Sequence, residues 1–135
     1  MIRLSIETPL TDAVPGLAVA LPFFHLGAKV PCSIVVESDE NGSLDGLELR
    51  LLELGHGSGS PSVRPVRTVP LPRLELEAGR PVRWSTELPL PAEGPPSYCG
   101  EHVKLDWELS VGPREGAGPR ARLRLWVRPA RAAAG

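Results

Sequence analysis

From Val103 to Val111 the chain alternates without a break. Val103, Leu105, Trp107, Leu109 and Val111 fall on one side, and Lys104, Asp106, Glu108 and Ser110 on the other. A helix would scatter these apolar residues around its axis. A strand, whose side chains point to opposite faces in turn, gathers them into one buried face and leaves the other wet. The stretch follows Pro95, Pro96, Ser97, Tyr98 and Gly100, which is turn chemistry. The same punctuation runs through the chain: 14 Gly and 16 Pro sit mostly between short apolar runs. Helical periodicity is weak everywhere, without caps or a sustained i, i+3, i+4 pattern.

This rhythm predicts strands over 2–7, 17–21, 29–38, 44–54, 66–69, 74–77, 82–88, 103–111 and 120–128. Pro31 places the start of the third at a sheet edge. Asn41-Gly42 is the tightest point of the turn that follows it. Within 44–54, Leu47, Leu49 and Leu51 share a face while Leu52 and Leu54 fall on the other, which implies a bulge or a strand buried on both faces near its end. About seven to nine strands at these spacings predict an all-β chain, an immunoglobulin-like sandwich of two sheets. The expected organisation is one domain over 1–128, a mobile loop at about 55–65, and a flexible tail over 129–135.

Composition narrows the function. With 41% hydrophobic residues, 15 basic and 16 acidic, the composition indicates neither disorder nor an electrostatically driven nucleic-acid binder. The N-terminal M-I-R-L-S-I-E-T reads as a strand rather than a leader. The longest apolar run, 14–26, is broken by Pro15, Gly16, Pro22 and His25, so no integral membrane segment is expected, and a cytoplasmic location is. In a reducing compartment Cys32 and Cys99 are expected to be free, buried and inert; a bridge would need adjacent strands, which the sequence does not decide.

The Pro95–Trp107 stretch, with its Ser97-Tyr98-x-Gly100 turn feeding a long alternating strand, resembles arrestin-like domains of the arrestin N-terminal and sporulation-control type. So does the order of the earlier segments: Phe24 to Val30 as a glycine turn into a valine-rich strand, then L-D-G-L-E-L-R-L-L-E-L over 44–54. The resemblance spans about Ile2 to Val127. It implies an arrestin-like β-sandwich that works as a binding scaffold. Larger arrestins carry two such sandwiches and sense phosphorylated receptors through contacts between them; with one expected here, that mechanism is not carried over.

No catalytic constellation stands out, and neither a catalytic residue, a cofactor nor a metal is expected. His56 lies in the glycine-serine loop, a poor place to hold geometry. Cys99 and His102 are too few for a zinc site and are weighed only as a thiol–imidazole pair. The glycine-rich 55–65 loop is not followed by a helix and so does not form a phosphate cradle. The strand R-A-R-L-R-L-W-V-R over 120–128 is different. Arg120, Arg122, Arg124, Trp126 and Arg128 share one face, and if the strand pairs with 103–111 they meet Asp106 and Glu108 on the outside of the sheet. One outcome is a solvated salt-bridge ladder with Arg stacked on Trp126. The other is a docking patch for a protein partner built on Arg122, Arg124, Trp126 and Arg128, since Arg and Trp are the usual interface anchors. The expected function is a non-catalytic protein-interaction scaffold or adaptor, with homo-oligomerisation through a sheet edge compatible with it. The alternative is a sandwich binding a small ligand, a carbohydrate or lipid headgroup, for which one Tyr, three Trp and two Phe supply few stacking surfaces.

Overall fold

The computed structural model describes residues 1–8, 22–57, 59, 61–100 and 103–129. The strands are β1 (Ile2–Glu7), β2 (Phe23–His25), β3 (Lys29–Ser38), β4 (Gly42–Leu44), β5 (Leu47–His56), β6 (Ser62–Pro70), β7 (Leu74–Leu76), β8 (Val82–Pro89), β9 (Tyr98–Cys99), β10 (Lys104–Pro113) and β11 (Ala121–Arg128). No helix occurs among the described residues. One sheet has the order β1-β3-β8. The other runs β2-β11-β10-β5-β6, with β9 added beside β10, and β4-β7 form a small ribbon. The all-β sandwich is as expected; the count exceeds seven to nine because of the short elements β2, β4 and β9, each only two or three residues long.

The two sheets bury the alternating positions against each other. Ile34, Val36, Val30 and Leu88 from one sheet meet Leu49, Leu51, Trp107, Leu109, Val111, Leu125 and Val127 from the other in a single core. Each fully buried aliphatic side chain contributes about 1.5–3 kcal/mol over leaving it in water. Trp84 packs at the margin of this core, partly buried, while Trp107 is sealed within it.

Several boundaries move. The stretch 44–54 is not one strand: Asp45-Gly46 separates β4 from β5, and Gly46 takes a φ of 74° that favours glycine. Asn41-Gly42 is not a hairpin point, because β3 and β5 lie in different sheets and the connection crosses between them; the Asn41 side chain instead accepts a hydrogen bond from the Ala78 amide at 2.9 Å. Pro31 does sit at a local edge: β3 is the central strand of its sheet, but β1 pairs only as far as Ser33, so among the described residues β8 is the one neighbour at that end. Val103 stands exposed just before β10 instead of inside the sheet. Gly55 pairs with Ser62, so strand pairing enters the predicted loop at 55–65 from both ends. The strand expected over 66–69 is the second half of β6; its first half, 62–65, gave no apolar signal because β6 is an edge strand, exposed along most of its length. The strand expected over 17–21 and most of the tail over 129–135 lie outside the described residues.

One local device sets up the functional face. β10 and β11 pair as a hairpin from Val111↔Ala121 to Trp107↔Leu125. Beyond that point the turn at 97–99 enters the sheet. Ser97 donates its amide to the Val127 carbonyl at 2.6 Å, and its Oγ accepts from the Val127 amide at 2.7 Å, in a buried position. Tyr98-Cys99 then pair with Leu105 and Lys104. β11 also meets β2 in parallel: Trp126↔Phe23 and Arg128↔His25.

The outer face of the six-stranded sheet

The registers place one set of side chains on the outside of this sheet. β5 supplies Glu48, Arg50, Leu52, Leu54 and His56; β10 supplies Lys104, Asp106, Glu108 and Ser110; β11 supplies Arg122, Arg124, Trp126 and Arg128; β2 supplies Phe23 and His25. Glu108 lies between Leu52 and Arg124, and Ser110 between Arg50 and Arg122.

The acids are recessed and the bases project. Asp106 is 3% exposed and Glu108 7%, although both point away from the core. They sit on the middle strand, and long side chains from β5 and β11 close over them. Around Asp106 Oδ2 stand Arg124 Nη1 at 3.3 Å, Lys104 Nζ at 3.5 Å and His56 Nε2 at 3.8 Å, all roughly 40% exposed. None of the three makes a well-directed hydrogen bond to that oxygen, which is buried without a partner. Further along, Glu48 is held by Arg50 at 2.8 Å and by Arg114 at 3.1 Å. A molecule approaching this face therefore meets guanidinium and ammonium groups first.

The four residues singled out from sequence separate into two kinds. Arg124 is engaged from within, by Asp106. Arg122 is exposed and has no ion-pair partner among the described residues. Trp126 is partly covered beside Phe23, and Arg128 lies over the Phe23 ring at 5.9 Å rather than on Trp126 as expected. Phe23 also meets His25 edge-on at 6.2 Å. Phe23, His56 and Leu54 also belong to this face and went unrecognised as part of it. The alternation Phe23-Phe24-His25 carried the signal for the first, with Phe24 buried between two outward neighbours.

The thiol candidates do not converge. Cys32 and Cys99 are both free; Cys32 is buried and Cys99 is exposed, not buried as expected. His102 lies outside the described residues, and no cluster of three or more metal-ligating side chains occurs among those described. Burial pushes the Cys32 thiol up to about 11. At pH 8 only about one Cys32 in a thousand is then thiolate. Iodoacetamide is expected to label Cys99 on the folded chain and to reach Cys32 only after unfolding, as read by intact mass; equal rates would refute this assignment. Because the unfolded thiol ionises first, stability should fall as pH rises from about 9 to about 11.

No helix among the described residues is long and apolar enough to cross a membrane. No protein-family model matches this chain, and no curated protein does. Among solved structures, the sporulation control protein Spo0M from Bacillus subtilis is similar to it, with a TM-score of 0.64, 11% sequence identity and 93% of this chain covered. The alignment covers 49% of Spo0M, so the chain spans about half the length of that protein. At this identity the likeness concerns the fold alone: the chain is an all-β, arrestin-like sandwich of the kind seen in Spo0M.

Proposed function

We propose that the chain is a non-catalytic adaptor acting in the cytoplasm, and that the outer face of its six-stranded sheet docks a protein partner through an acidic stretch. One observation carries this reading: carboxylates are sunk beneath projecting Arg and Lys groups, with a partly exposed Trp126 beside them. Guanidinium groups recognise carboxylates with two parallel bonds, and a neighbouring indole supplies apolar area at low entropic cost. The regulatory description of Spo0M agrees with a role without catalysis. A small-ligand site is less well supported, since Trp126 and Phe23 are both partly covered and Arg128 lies over the latter.

Arg122 and Trp126 are the informative positions, because Arg124 also holds Asp106 and its loss would disturb the sheet. Affinity capture from lysate of the source cells should recover partners that Arg122→Glu and Trp126→Ala both lose, and that high salt weakens. Thermal melts of both variants must stay near wild type. Recovery of the same partners by both variants would sink the docking face.

A further inference from the structure

β8 has no neighbour on its second side among the described residues. An open edge presents a row of unpaired N–H and C=O groups, which proteins commonly blunt with proline, a bulge or short length. The matching edge of the other sheet, β6, has Pro65 within it and a register shift opposite Leu51 and Leu52. β8 is eight residues long, has no proline before Pro89, and pairs with β3 in unbroken register. It lacks these three guards; the charges it does carry, Arg83 and Glu87, would complement those of a second copy.

Arg83, Ser85 and Glu87 point outward from the sandwich, and Val82, Trp84, Thr86 and Leu88 point toward the core. Lay a second copy antiparallel along this edge with a two-fold axis at Ser85. Arg83 then faces Glu87 of the second copy, Ser85 faces its equivalent, Val82 faces Leu88, and Trp84 faces Thr86. Every pair is compatible, and the two charge pairs are opposite in sign. Glu87 has no ion-pair partner among the described residues. Arg83 reaches Glu7 with Nη1 at 2.6 Å, which leaves further N–H donors for a second carboxylate. Trp84 is only partly buried at this margin and would be covered.

We propose that two copies of this chain pair β8 to β8, antiparallel and centred on Ser85, so that their three-stranded sheets become one continuous sheet. Such an isologous contact closes on itself and ends at a dimer. β1 repeats the spacing in Arg3, Ser5 and Glu7, but it packs against β11 where the sheets approach, and its Glu7 is already committed to Arg83.

Sedimentation equilibrium of the full chain should give twice the chain mass. Arg83→Glu and Glu87→Arg should each lose the dimer, because each sets like charges opposite one another. Mixing the two variants should restore it, since Glu at 83 then meets Arg at 87. Arg3→Glu should leave it intact. A wild-type monomer at every accessible concentration, dimers indifferent to the single substitutions, or variants that fail to recover on mixing would each overturn the proposal. Thermal melts establish that every variant is folded. This edge lies on the sheet opposite the docking face, so the partner-capture result and the dimer result stand or fall separately.

Discussion

Trp107→Ala is expected to lower the free energy of unfolding by about 3–5 kcal/mol, the range for deleting a buried aromatic whose site does not collapse. Trp107 is fully buried on the central strand of the larger sheet, among the largest sealed side chains of the core. β5 and β11 fix its backbone on both sides, through Trp107↔Glu53 and Trp107↔Leu125. The walls of the cavity are strands and cannot close inward. The indole also donates Nε1–H to the Pro95 carbonyl at 3.2 Å, so it helps anchor the segment that carries Ser97 into the sheet. Against a total stability of about 5–15 kcal/mol, the loss is a large fraction. Urea unfolding at pH 7 measures it through the midpoint. Trp107→Phe keeps much of the volume and forfeits the N–H, so its cost should be smaller. A loss below about 1 kcal/mol for the alanine variant would mean that the core beneath β10 is not sealed.

Period two made the long strands readable. β3, β8, β10 and β11 each have one aliphatic face, and their pairing with neighbours follows from burying it. Elements that owe nothing to that alternation were hidden. The first half of β6, 62–65, is exposed and held by its ladder with β5, so its composition resembles a loop. β2 is three residues joined in parallel to the far end of the chain, a pairing with no local trace. The change of face at Leu52 has a similar lesson. β5 stays in unbroken register with β10, and the irregularity lies across from it on β6. Leu52 and Leu54 therefore lie on the outer face, where they help bury the acids of β10. The Arg/Trp strand was found from its own residues. The recessed state of Asp106 and Glu108 was not, since a polar residue at an outward position reads as solvated. Its burial depends on side chains from two other strands.

Arg124→Glu should destabilise the chain by about 2–4 kcal/mol, whereas Arg122→Glu, two residues earlier on the same face, should cost no more than about 0.5 kcal/mol. Arg124 is the nearest cation to a carboxylate that is 3% exposed, at 3.3 Å. The substitution sets a second carboxylate beside Asp106, while Glu108 directly opposite on β10 adds a third negative group. Orphaning a fully buried charge costs roughly 3–5 kcal/mol; Lys104 still faces Asp106 here, at 3.5 Å, and moderates the loss. Arg122 lies opposite Ser110, is exposed, and has no ion-pair partner among the described residues. A charge in that position is surrounded by water in either sign and contributes little. Adding Asp106→Asn to the Arg124→Glu variant should restore part of the stability, and the double-mutant cycle isolates that coupling. Equal effects at 122 and 124, or no recovery with Asn at 106, would show that Asp106 is not the point on which this face is organised.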